Sequence, residues 1–69
     1  MMAIVVEFKD RIITRAMLDQ IVGNAFRNNL TPPSEIYVKC RGYKNTIPKA
    51  VKEYEKNRNV IIHISVCKD

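Results

Sequence analysis

Two short runs of this 69-residue chain hold the residues best suited to chemistry. The first is Lys9, Arg11 and Arg15, and the second is Arg41, Gly42, Tyr43 and Lys44, followed by Lys49. Guanidinium forks and ammonium groups bind phosphate oxygens through charge-assisted hydrogen bonds. A glycine among them lets backbone N–H groups come close to a ligand. A tyrosine beside them can stack on an unpaired base or pack on a sugar, or it can simply pack on the rim of its loop. Together these residue types suit a polyanion that carries rings.

Other chemistries find less support. His63 is the single histidine, and no nucleophile stands with it at a spacing that would make a catalytic pair. Glu7, Asp10, Asp19 and Glu35 are scattered, which leaves no pair of carboxylates for acid–base work. A small nuclease using His63 is the remaining enzymatic option, and the expectation is that the chain is not an enzyme. Cys40 and Cys67 with one histidine match no zinc spacing, and two cysteines form no disulfide framework. Arg-Gly-Tyr-Lys-Asn-Thr lacks the second glycine and the Lys-Ser/Thr pair of a phosphate loop. No cofactor, metal or small-molecule substrate is therefore expected.

Composition sets the frame for these residues. Twelve Lys and Arg against seven Asp and Glu give a net charge of +5, which favours polyanionic partners if the excess is clustered. Hydrophobic content of 46% is too high for a disordered basic tail. The opening Met-Met-Ala-Ile-Val-Val-Glu-Phe-Lys-Asp meets charge too soon for a signal peptide or a membrane span, so a soluble, cytoplasmic protein without membrane contact is expected. A chain of this length makes one domain with a small core, which favours a homodimer as the source of extra stability.

The elements that must position the cations can be read from periodicity. Residues 3–8 are β-rich and end in charge, a first strand. From about residue 12 to 28, Leu18, Ile21, Val22, Ala25 and Phe26 form the apolar stripe of a helix, capped by either Asp10 or Thr14. Pro32 and Pro33 end that region. Residues 35–41 alternate Ile36, Val38 and Cys40 with polar neighbours, as a half-exposed strand does. Thr46 and Pro48 open a second helix whose inner stripe is Ile47, Ala50, Val51 and Tyr54. Residues 60–67 alternate again and make the third strand.

The order βαβαβ predicts an α+β two-layer sandwich. Right-handed crossovers give a three-stranded, mainly parallel sheet with both helices on one face. Ile4, Val6 and Phe8, with Ile36, Val38, Cys40, Val60, Ile62, Ile64 and Val66, are expected on the helix side. Val5, Glu7, Tyr37, Lys39, Arg41, Ile61, His63 and Ser65 are expected on the open side. Cys40 and Cys67 then fall on opposite faces. Parallel strands end at the edge where the helices begin, so Lys9, Arg11, Arg15, Arg41, Lys44, Lys49 and Lys68 should converge there, opposed mainly by Asp10 and Asp69. This basic edge implies a nucleic-acid partner, DNA or RNA, held without base-specific readout. The alternative is a protein-interaction module, an inhibitor or assembly factor that docks through Val5, Tyr37, Ile61 and His63 on the open face.

The stretch from Ser34 to Val51, SEIYVKCRGYKNTIPKAV, resembles a segment of the archaeal chromatin protein Alba family, in which a strand of the type E-I-x-I-K-x-R-G leads through a basic loop into a helix. Glu35, Ile36, Val38, Lys39, Arg41, Gly42, Lys49, Ala50 and Val51 stand at the matching positions, and Lys9 and Arg11 fall where the family's first loop is basic. The resemblance implies a small, dimeric DNA- or RNA-binding protein that touches the nucleic-acid backbone through both loops. The family continues into a fourth strand and a basic hairpin arm, so this chain reads as a member lacking the last strand. Its fold expectation is shared with the C-terminal domain of translation initiation factor three.

Overall fold

The computed structural model describes residues 3–67. Its elements are β1 (Ala3–Phe8), β2 (Ile12–Ile13), α1 (Arg15–Arg27), β3 (Pro33–Cys40), β4 (Gly42–Tyr43), α2 (Ile47–Arg58) and β5 (Ile61–Val66). The three long strands form one parallel sheet in the order β1-β3-β5, and β2 pairs with β4 in a second, two-stranded parallel sheet. With the sequential order kept across the sheet, right-handed crossovers put α1 and α2 on the same face. This is the expected βαβαβ two-layer sandwich. No helix among the described residues is long and apolar enough to cross a membrane.

Local chemistry explains where the helices begin and end. Thr14 is the N-cap of α1, and its hydroxyl accepts the Met17 N–H at 3.3 Å. Of the two candidate caps it is therefore the threonine that serves, while Asp10 pairs elsewhere. At the other end the Asn29 side chain donates to the Ala25 carbonyl at 2.7 Å, satisfying a group the last turn leaves open. Pro48 lies in the first turn of α2, and Asn59 ends that helix in the left-handed conformation, φ 54°, which asparagine tolerates better than most residues.

One core lies between the sheet and the helices. Ile36, Val38 and Cys40 of β3 meet Leu18, Ile21, Val22 and Ala25 of α1 and Ile47 and Ala50 of α2, with Ile13, Val60 and Ile62 closing the sides. Tyr54 and Val51 pack against it from α2. These positions agree with the helical stripes read from the sequence.

The face of β1 is the main correction. Ile4, Val6 and Phe8 are 54%, 63% and 58% exposed, while Val5 packs against the core. Register gives the reason, because Val5 stands opposite Ile36 and Glu7 opposite Val38, so Val5 and Glu7 share the helix side. Residues 3–8 are apolar at both parities, and the strand's own alternation could not decide which set faces in; pairing with β3 decides it. Val66 lies on the helix side as expected, opposite buried Cys40, although it is 37% exposed near the end of edge strand β5. Cys40 and Cys67 are both free thiols. Cys67 follows Val66, one position beyond Cys40's partner.

Candidate nucleic-acid interface

The two basic loops meet through backbone pairing that the sequence did not announce. Residues 12 and 13, expected to start the first helix, are strand β2 instead, and Ile12 and Ile13 stand opposite Gly42 and Tyr43. The Arg41 N–H donates to the Arg11 carbonyl at 3.1 Å, and the Lys44 N–H donates to the Ile13 carbonyl at 3.0 Å. Ile13 is the anchor of this arrangement, fully buried beneath the small sheet. The detectable signal was Ile12-Ile13 itself, a β-branched pair before the cap, which the longer helical stripe masked.

Several predicted residues gather here. Arg11, Tyr43, Lys44 and Lys49 are exposed, and Lys9 is half-buried at the end of β1. Arg15 opens α1 and Lys49 lies in the first turn of α2, so both stand at the edge where the parallel strands end. Lys68 and Asp69 lie outside the described residues. Gly42 has no positive φ, and a Cβ there would meet Ile12 Cγ1 at 3.7 Å, an ordinary contact. Neither a strained turn nor local crowding requires glycine at that position.

Two of the cations are engaged within the chain. Arg41 pairs through Nε with Asp10 and reaches the Cys67 carbonyl with a second nitrogen at 3.5 Å. Arg15 binds Asp19 at 3.0 Å and lies 5.9 Å over the Tyr54 ring. Asp19 also accepts the Tyr54 hydroxyl, and that bond, more than the Arg15 guanidinium, holds its carboxyl below the ordinary range. Burial, then the same bond, pushes the Tyr54 phenol upward. These contacts lock the start of α1 onto α2 and leave Lys9, Arg11, Lys44 and Lys49 as the cations best placed to meet an external phosphate.

The open face of the sheet carries a second cluster. Tyr37 and His63 stand opposite each other in register and stack with ring centroids 4.2 Å apart and planes within 9°. Glu35 joins them, accepting the Tyr37 hydroxyl at 3.1 Å and lying 3.0 Å from His63 Nε2. The hydrogen bond to Glu35 raises the Tyr37 phenol above its usual range. The sequence placed Tyr37 and His63 side by side, but it did not link Glu35 to them. Beside this polar group, Ile4, Val6 and Phe8 add an apolar stripe along the edge strand.

A cleft of about 470 Å3 opens between the end of β1, the loop that follows it and α1. Met17, Gln20, Ile21 and Asn24, at helical spacing, form one wall, and Glu7, Phe8, Lys9, Asp10 and Arg11 line the other. Nothing in the sequence reading singled out this cleft, because it depends on Glu7 facing the helices. No protein-family model, curated protein or solved structure matches the chain, so its functional reading rests on this geometry.

Proposed function

We propose that this chain is a sequence-tolerant nucleic-acid-binding protein of the cytoplasm, which grips the phosphate backbone of DNA or RNA along the edge built by β2 and β4. One observation carries the reading: the parallel pairing of these strands ties Arg11 and Arg41 together and sets Lys44 beside them. Exposed Lys and Arg at such an edge attract phosphates by charge, and an exposed Tyr43 offers a ring for an unpaired base. Internal pairing of Arg41 and Arg15 supports the same reading, because it fixes the backbone from which the remaining cations project. The similarity of Ser34–Val51 to the Alba family points the same way. Electrophoretic retardation of duplex DNA, single-stranded DNA and structured RNA at rising salt tests it. With about five phosphates neutralised, log affinity for duplex DNA falls against log salt with a slope of roughly −4. No retardation of any of the three at low salt overturns the proposal.

A second reading is favoured by the outward stripe of Ile4, Val6 and Phe8. Exposed apolar residues in a row on an edge strand suit protein docking, and a second copy of this chain is the first occupant to test. In that reading the open face makes the homodimer, and the basic edge stays free. Sedimentation across a hundredfold range of concentration distinguishes a dimer from a monomer.

A further inference from the structure

Glu7 is the one charged residue on the helix side of β1. It occupies a helix-facing position of β1 opposite fully buried Val38, yet its carboxylate has no hydrogen bond or salt bridge to any described residue. Its oxygens stay open to the cleft, where they can accept donors from a ligand. The carboxylate lines the 470 Å3 cleft, whose volume falls in the range of about 300–1,000 Å3 typical of small-ligand sites.

We infer that this cleft binds a guanine base, taken from a single-stranded stretch of the nucleic acid, with Glu7 reading its Watson–Crick edge; this rests on the nucleic-acid reading above. The two oxygens of a carboxylate accept two parallel N–H donors. Guanine presents that pair, N1–H and the 2-amino group, side by side. Adenine and cytosine each present one amino donor next to a ring nitrogen that would face the carboxylate with a lone pair. Uracil flanks its one N–H with two carbonyls, which the carboxylate repels. Gln20 and Asn24 carry amides that can donate to guanine O6 or N7, and the Met17 thioether suits the flat face of a ring. Lys9 and Arg11 stand at the same cleft and suit the attached phosphates.

Fluorescence anisotropy with a labelled twelve-nucleotide oligouridine, and with the same strand carrying one central guanosine, inosine or adenosine, tests the inference. The guanosine strand should bind about tenfold more tightly than oligouridine, the scale of one bidentate base contact. Inosine, which lacks the 2-amino group, should lose most of that gain, and adenosine all of it. In Glu7→Gln, folded by circular dichroism, the ratio of guanosine to oligouridine affinity should fall to near one. Free guanosine monophosphate, followed by NMR shifts at Met17 and Asn24, separates the sources of the base. Binding of all strands alike, or a ratio that survives Glu7→Gln, overturns the guanine site while leaving the backbone-binding reading intact. Binding of the mononucleotide at the cleft with no binding of any strand keeps the guanine site and overturns the nucleic-acid reading. Absence of both overturns both.

Discussion

The carbonyl oxygen of Arg11 accepts the backbone N–H of Arg41 at 3.1 Å, which joins the two basic loops of the chain at one point. Because this bond uses only backbone atoms, the Arg11 side chain can be removed without breaking it, while the Arg41 side chain adds a second tie through Asp10. Substitutions of the exposed Arg11 and Lys44 side chains therefore report on binding more than on folding.

Arg11→Ala combined with Lys44→Ala should weaken duplex DNA and single-stranded RNA alike, whatever their sequence. Each lost phosphate contact removes about 0.9 from the duplex salt slope, so the double variant should flatten it by about 2. Retardation assays at four or more salt concentrations measure this, and an unchanged slope would place the phosphates elsewhere. Thermal midpoints of the variant and the parent protein should agree within a few degrees, since both side chains are exposed.

The sheet face of β1 gives a sharper stability prediction. Val5 packs against the core and Val6 is 63% exposed, so adjacent residues of the same type should respond oppositely to a charge. Val5→Asp should unfold the protein or lower its stability by about 3 kcal/mol or more, because it buries an unpaired carboxylate. Val6→Asp should change it by about 0.5 kcal/mol or less. Urea denaturation followed by circular dichroism decides, and a reversed order would restore the face first expected from the sequence.

That pair also marks where the sequence was legible and where it was not. Helical stripes such as Leu18, Ile21, Val22 and Ala25 needed no partner to be read, since a helix sets its own periodicity. The alternation of β3 was equally plain, with Ile36, Val38 and Cys40 all buried. A strand with apolar residues at both parities has no such signal, and the orientation of β1 comes only from its register with β3. The same limit hid the cleft, because Glu7 lines it only when Val5 points inward. The β2–β4 pairing was hidden for a related reason: two residues are too few to show a period. What remained legible was the grouping of Lys9 and Arg11 with Arg41 and Lys44, since a parallel sheet brings its strand ends to one edge whatever the details of the loops.

The outward stripe on β1 predicts self-association through the open face. Ile4→Glu with Val6→Glu places charge on two exposed apolar residues of the sheet, so a dimer formed there should dissociate to monomer at all concentrations tested. Nucleic-acid binding at low salt should persist in Ile4→Glu with Val6→Glu, which leaves the cleft-lining Phe8 in place. A parent protein that is already monomeric at high concentration removes this use of the face.

Asp19 and Tyr54 predict how stability changes with pH. The Asp19 carboxyl is held below its ordinary range by the Tyr54 hydroxyl first and by Arg15 second, so the folded state favours its ionised form. Its contribution is complete above the unfolded carboxyl range and is lost as pH falls through the lowered value. Tyr54 works in the opposite direction, since burial and the bond to Asp19 favour its neutral form. That contribution is complete below the ordinary phenol range and is lost as pH rises through the raised value. The pair lies near the surface, so solvent screening keeps both effects small. Asp19→Asn should therefore flatten the acid limb of the stability curve below the ordinary carboxyl range. It should also lower the Tyr54 titration midpoint, read from phenolate absorbance, because the carboxylate that opposes ionisation is gone. A Tyr54 midpoint unmoved by Asp19→Asn would mean that burial alone raises it, and that the contact between the helices contributes nothing to the titration.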